Sequence, residues 1–375
     1  MTEHYDAIVL GTGGVGSAAL FHLAKRSSRV LGLDRFSGGH DRGSSHGETR
    51  VIRQAYFEHP DYVPLLLRAY QLWHELEALQ QQQLFYQVGL LEVGPTNGRL
   101  MQGIRSAAIQ HQLTVASISP QQMKQRFPGY RLPENCEALF EPMAGYLLVE
   151  QCVLAHLAEA KKRGAEIHCD EEIHNWKVND AGTVIVSTNR QLYTADRLIV
   201  TGGAWAGDLL SSLKLPLRVV RKHMHWYACE QNSCYHEQQG APTFFYETPV
   251  GMFYGFPQRN DRGLKLAEHT GGEPIDKPLE IGLAVDPVDR QLIEQFLSEH
   301  LPNVTLQPVD HTVCMYTLSP DEHFIVDTHP DHSQVAFAAG LSGHGFKFSS
   351  VLGEVLAELV WDGKPRLPID FLRMR

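Results

Sequence analysis

The 375-residue sequence predicts an α/β fold in two domains. One is an open parallel-sheet domain assembled from pieces of both ends of the chain. The other is an α+β domain with an antiparallel or mixed sheet, inserted between those pieces. Three observations predict this arrangement. The N-terminus reads as strand, glycine turn, helix and strand; the C-terminus repeats strand, glycine turn and helix; and a run of short apolar segments separates them. Residues 1–85, 145–215 and 310–375 are assigned to the first domain, and 86–144 and 216–309 to the second.

The opening YDAIVLGTGGVGSAALFHLAKRSSRVLGLD is the most informative stretch. AIVL is a strand, SAALFHLAKR a helix and RVLGLD a second strand. Between them, Gly11 makes the tight turn, Gly13 lets a pyrophosphate approach the backbone, and Gly16 lets helix and strand pack closely. A phosphate then sits at the helix N-terminus, where free N–H groups and the helix dipole favour negative charge. Asp34 closes the second strand, where a carboxylate can accept hydrogen bonds from ribose hydroxyls. The domain is therefore Rossmann-like. The apolar N-terminus lacks the basic flank of a signal peptide, and its glycines belong to the turn.

SSHGETRVIRQAYFEHPDYVPLLLRAYQLWHELEAL passes from a polar loop into a long amphipathic helix, whereas 86–144 carries few periodic signals. VLAHLAEAKKRGAEIHC reads as helix, glycine stop and strand, and RLIVTGGAW as a strand entering a glycine turn at Gly203 and Trp205. From 216 to 309 come the strands HMHWYAC, TFFYET, MFYGFP and LKLAEH and the helix DPVDRQLIEQFLSEHL. The chain ends with QVAFAAGLSGHGFKFSSVLGEVLAELVWDG: a buried strand, a turn holding Gly340, Gly343 and Gly345, and an amphipathic helix. A nucleotide domain recruited from both ends of the chain can grip its ligand from several sides. That favours FAD, which stays, over NAD, which must leave.

Composition bounds the function further. The chain is 43% hydrophobic and 20% charged with a formal net charge of −10, which disfavours a nucleic-acid partner because phosphate neutralisation needs clustered Lys and Arg. No apolar run is long enough for a membrane span. The six cysteines form no CxxC pair and no zinc-spaced cluster, so no metal is expected and a reducing, cytoplasmic location is.

Three stretches concentrate chemistry. GSSHGETRVIR places His46, Arg50 and Arg53 together, cations that repel unless an anion or an electron-rich ring answers them; the ordinary alternative is a solvated basic loop. The planar fork of Arg53 suits a carboxylate. GLKLAEHT places Lys265 and His269 near Tyr254. On a strand, Leu264 and Leu266 face the core and Lys265 faces solvent or a cleft. LSGHGFKFSS puts His344 and Lys347 at a helix start, where positive charge opposes the dipole and so hints at function. Cys314, within TVCMYTLSPDEHF, reads on its own as a buried core thiol.

Together, GTGGVG, SHGETRVIRQAY, YGFP, LKLAEHT, CMYTLSPDEHFIVDTHP and LSGHGFKFSSVLGE resemble the monomeric sarcosine oxidase and N-methyltryptophan oxidase family of FAD-dependent amine oxidases, over nearly the whole chain. The resemblance implies covalent FAD, held by a thioether to Cys314. It implies that Arg53 and Lys347 hold a substrate carboxylate, and that Tyr254 and His269 line the substrate face. Gly343 frames the substrate, and Phe245 stands in the side-chain pocket. Lys265 is implied beside the flavin as the oxygen-activating cation, with His46 and Arg50 against the other flavin face assisting the covalent bond. Catalytic standing extends to Tyr316, and cofactor contacts to Thr49, Ile173, Gly203, Trp205, His344, Gly345 and Phe346, besides Gly11, Gly13, Gly16 and Asp34. Ser45 and Glu48 depart from the family's pattern, away from the chemistry so assigned.

The activity implied is oxidative demethylation of a secondary N-methyl amino acid, sarcosine foremost, to glycine, formaldehyde and hydrogen peroxide, with O2 as acceptor, by a monomer. N-methyl-L-tryptophan and cyclic imino acids such as pipecolate or proline are the near alternatives. More distant are a nicotinamide-linked dehydrogenase and a flavin-binding protein without turnover.

Overall fold

The computed structural model describes residues 3–230 and 233–375. Its first sheet has six strands in the order 166–168, 30–33, 7–10, 198–200, 332–339 and 325–329, all parallel except the last. Buried on both faces, strands 7–10, 30–33 and 198–200 are continuously apolar, as is the 335–339 half of the next strand. Ala7 and Val9 face helices Gly14–Ala24, Val149–Lys162 and Ser349–Asp362, whereas Ile8 and Leu10 face a small sheet formed by residues 4–5, 173–178, 184–188 and 192–195. This alternation is the period of two expected of a strand packed on two sides.

The second large sheet has nine strands. Strands 243–248, 251–256 and 264–268 form an antiparallel meander, and strand Arg218–Cys229 pairs with both 264–268 and Val304–Leu318. Helix Pro287–His300 covers the face away from the cavity described below, packing Phe296 and Leu297 on Phe244 and Phe253. Its Asp286 N-cap accepts from Val288 N–H at 2.8 Å.

The stretch 86–144, where the sequence carries few periodic signals, contains helices Arg99–His111 and Pro120–Arg126 and three strands of the large sheet. One expectation is corrected. The break drawn at 310 falls inside the 15-residue strand Val304–Leu318. That strand starts in the large sheet, pairs Cys314 with Lys222, and delivers Met315, Tyr316 and Thr317 to the parallel-sheet domain. A boundary read from composition cannot see a strand that serves both.

Candidate active site

A cavity of 480 Å³ runs along the carboxyl ends of the parallel strands. It starts at the N-terminal glycine turn. Gly11 has φ +83°, and a Cβ there would lie 2.6 Å from Thr201 O, so only glycine fits. Gly13, the helix N-cap, has no side-chain cap, and both Gly13 and Gly14 line the cavity. Gly16 is turned away; its Cβ would sit 1.7 Å from Gly11 O, so it serves the helix–strand packing alone. Asp34 lines the cavity and accepts from Thr12 N–H at 2.6 Å and Phe36 N–H at 2.9 Å. Ile173, Gly203 and Trp205 complete this end, and Arg50, Tyr316, Gly343, Gly345 and Phe346 the other. Helix-start N–H groups beside bare glycine backbone, a carboxylate at one end and a guanidinium at the other suit a long dinucleotide with an anionic centre and an electron-rich ring. The residues therefore fit FAD.

A small recess opens off the far end, sharing Arg50, Tyr316, Gly343 and Phe346 with the cavity and adding Arg53, Glu58, Phe245, Tyr254, His269, His344 and Lys347. Arg53 is 3% exposed and bound by both oxygens of Glu58, at 2.7 and 2.8 Å, while its guanidinium lies over Tyr56 and Phe57. Glu58 is itself buried, yet Arg53, His344 and Lys347 bring its pKa down to about 2. The Lys347 ammonium donates to His344 O at 2.9 Å. Burial first, then Arg53, lowers its pKa to about 7. Burial also brings His269 to about 3 and His344 to about 4, so both imidazoles are neutral at pH 7. His269 stacks edge-on to Phe245 and Tyr254, at centroid distances of 5.7 and 6.1 Å. His344 reaches neither the cavity nor solvent; it bonds the Tyr56 hydroxyl and, at 2.9 Å, Glu322 O.

Behind Arg50 lies a third group. Cys314 is 2% exposed, with Sγ 3.4 Å from the Arg50 guanidinium. Burial raises its pKa, but Arg50, His46 and Lys265 together outweigh burial and leave it at about 7, against an ordinary 9.0. A thiol so placed is substantially thiolate at neutral pH. The surroundings thus distinguish it from the inert core thiol that its sequence neighbours describe. His46 is buried, and its Nε2 has no hydrogen-bond partner among the described residues.

Lys265 departs most from expectation. It lines neither cavity and is 2% exposed, donating to Gly47 O at 2.5 Å, Thr49 O at 2.8 Å and Thr49 Oγ1 at 3.3 Å, between the rings of Trp226 and Phe256. Burial and Arg50 push its pKa down, and Glu48 and Glu150 oppose them. All of strand Leu264–Glu268 is buried, so the solvent-or-cleft alternative drawn from alternation does not hold. Of the expected cofactor contacts, Gly16, His46, Thr49, Cys314, His344 and Lys347 stand outside the cavity wall. Thr49 instead supports Lys265. Two contributors, Glu58 and Glu150, escaped the sequence reading. Glu58 lies five residues after Arg53 at a spacing no motif marks. Glu150 accepts from Gly47 and Glu48 N–H and shapes the turn under Arg50. Ser45 lines the cavity and accepts from Gly14 N–H at 3.1 Å. Glu48, with φ +75°, bonds Arg259 at 3.1 Å and Asn260 at 2.6 Å. Both of these departures from the family's pattern therefore touch the site's framework.

Comparison with known proteins gives one answer. Residues 6–359 match the family model described as FAD dependent oxidoreductase. The chain is 41% identical to a monomeric sarcosine oxidase of Bacillus sp. (strain B-0618), covering 97% of this chain and 94% of the relative. It is 37% identical to an N-methyl-L-tryptophan oxidase of Yersinia pestis (strain Pestoides F), covering 98% and 97%. Among solved structures, NikD, described as an unusual amino acid oxidase essential for nikkomycin biosynthesis, superposes with TM-score 0.88 at 26% identity, covering 100% of this chain and 98% of that one. The glycine oxidase of Geobacillus kaustophilus, at 18% identity and TM-score 0.82, shares the fold. A Rossmann-like glycine turn, a long cavity that fits FAD and a family match across nearly the whole chain converge: this protein belongs to the FAD dependent oxidoreductases.

Proposed function

We propose that this protein is an amine oxidase that demethylates a small secondary N-methyl amino acid, sarcosine foremost, to glycine, formaldehyde and hydrogen peroxide, with FAD joined to Cys314 by a thioether. The observation that carries this reading is the recess: two buried cations, Arg53 and Lys347, and two neutral hydrogen-bonding groups, Tyr254 and His269, surround a space of only about 40 Å³ that opens onto the flavin cavity. Such a space suits a substrate with a carboxylate and little side chain. Phe245 walls it on one side, which favours sarcosine over an indole-bearing substrate.

Bound FAD supplies a two-electron acceptor that O2 can reoxidise. The chain's part is placement and charge. Arg53 and Lys347 take the carboxylate from two sides, which fixes the N-methyl group relative to the cavity; such positioning removes roughly 7–11 kcal/mol of barrier. A carboxylate arriving at Arg53 must share the guanidinium with Glu58. The amine reacts unprotonated, and the cations around it disfavour its ammonium form. Neutral His269 and the Tyr254 hydroxyl are placed to accept a hydrogen bond from the amine. Lys265 acts through the Gly47–Thr49 turn as the positive charge that favours electron transfer to O2. Sequence relatives named for sarcosine and for N-methyl-L-tryptophan support the class of reaction.

A peroxide assay on the yellow protein with sarcosine, N-methyltryptophan, pipecolate and proline tests the reading. Sarcosine is expected to give the highest kcat/KM. Peroxide from none of the four would overturn it.

A further inference from the structure

Beneath the recess the large sheet buries two carboxyl groups that the reaction above does not use. Glu92, in strand Leu90–Pro95, is fully buried, and neither of its oxygens has a hydrogen-bond partner among the described residues. Glu141, ending strand Cys136–Glu141, is 1% exposed. Its carboxylate accepts from Gln54 N–H at 2.5 Å and Ala55 N–H at 3.1 Å, the two residues that follow Arg53. The register pairs Leu90 with Glu141 and Glu92 with Leu139, so the two acids stand diagonally on one face. On its other side Glu92 pairs with Phe245, which walls the recess. The surroundings are otherwise apolar, including Leu90, Leu139 and Met101. The charged groups that face this pair are Arg53 and Glu58; from helix Val63–Gln80, Tyr70 lies near both acids and spends its hydroxyl on Met143 O.

A carboxylate without donors in apolar surroundings is strongly disfavoured, and two neighbouring carboxyls resist joint ionisation. Glu92 therefore keeps its proton: burial and Glu141 hold its pKa far above the carboxylate range. Glu141 has two N–H donors and Arg53 to favour its charge. Burial still outweighs them and leaves it at about 7. At neutral pH the pair thus holds between one and two protons.

We propose that Glu141, backed by protonated Glu92, positions the Arg53 segment and takes up a proton from solvent when a substrate carboxylate reaches Arg53. This rests on the reading of Arg53 as the carboxylate clamp. Glu58 and ionised Glu141 already set two negative charges near that guanidinium; an arriving carboxylate adds a third in a buried place. A proton bound to a Glu141 oxygen restores the balance, forming one O–H bond and moving no electrons. Lys347 also titrates near neutrality and is the competing proton acceptor, so the test must separate the two.

Acetate, which has no amine to oxidise, is the probe. Its binding to the flavin-loaded enzyme near pH 7 is measured by calorimetry in buffers of different ionisation enthalpy, which counts protons taken up. The expected result is about half a proton assigned to Glu141 near its midpoint, retained in Lys347→Met and lost in Glu141→Gln. Infrared difference spectra with isotopically labelled acetate give a second readout. In the absolute spectra a protonated-carboxyl band that Glu92→Gln lacks is present with and without acetate, and in the difference spectra a new one grows on binding. If wild-type enzyme shows no new band, or Glu141→Gln takes up as many protons as wild type, the proposal is overturned. Should Arg53→Met bind acetate as tightly as wild type, the clamp reading itself fails, whatever the pair does.

Discussion

Lys265 meets three acceptors from one turn, and three is the number of protons its ammonium can donate. This geometry favours the charged form against the burial that opposes it. Replacing it by Met keeps the bulk and removes the charge. Lys265→Met is therefore expected to slow the reaction of reduced enzyme with O2 by about 10²–10³, the usual cost of one lost electrostatic partner, while flavin reduction by substrate changes far less. Stopped-flow measurement of the two half-reactions decides this, and equal losses would refute the role. Lys347 carries a different test. Its pKa is depressed, so it is protonated below about 7 and loses its charge as pH rises through that value. The KM for sarcosine should accordingly rise with pH across that window. Lys347→Met should raise KM about 10- to 100-fold, the equivalent of about 1.5–3 kcal/mol for a charged hydrogen bond, and remove its share of the pH dependence in initial-rate data.

Helices and strands were legible wherever a local pattern states itself. Gly-rich turns at both ends and alternating strands between 216 and 309 are visible because backbone conformation and side-chain period depend on near neighbours. The helix Pro120–Arg126 was missed although its start carries a capping box, Ser119 with Gln122, followed by proline. Its first turn lacks the apolar rhythm that would draw notice. Contact between elements is not legible in this way. Gly353, midway along the last helix, lies where that helix crosses Gly14–Ala24; a Cβ there would stand 2.5 Å from the Ala18 carbonyl carbon and Ala19 N. Gly353→Ala is expected to destabilise by about 1–3 kcal/mol through overpacking. Because the last helix follows the Gly343–Gly345 turn of the cavity, the variant should also bind less flavin. A lowered Tm together with reduced visible absorbance per chain would show it; an unchanged Tm would mean that the helices part without cost.

The molecule gathers its flavin cavity from the N-terminal turn, the 44–50 loop, the 201–205 turn, the end of a long shared strand and the C-terminal turn. A ligand gripped by all of these stabilises the folded chain. Cys314→Ala should leave the cavity intact while making retention reversible. Wild-type protein is expected to stay yellow in an acid precipitate, and the variant to release its colour to the supernatant. The Tm of the variant should then climb with added FAD, about 1.4 kcal/mol of stability for each tenfold excess over Kd, whereas that of wild type should not respond. Colour released from wild type would remove the tether.

Taken alone, the amino-acid order determined the dinucleotide turn, the recruitment of one domain from both chain ends, and, through long motifs, the resemblance that nominates Cys314, Arg53 and Lys347. These are properties of contiguous residues. Only the tertiary structure decided what surrounds them. It set Arg50 beside Cys314, 264 positions away, so that positive charge outweighs burial at the thiol. It also turned Lys265 inward onto a loop more than 200 residues earlier, locked Arg53 onto Glu58, and hid Glu92 and Glu141 under the recess. Burial and electrostatic neighbourhood set pKa values and charge, and both arise from segments that meet only when the sheets close.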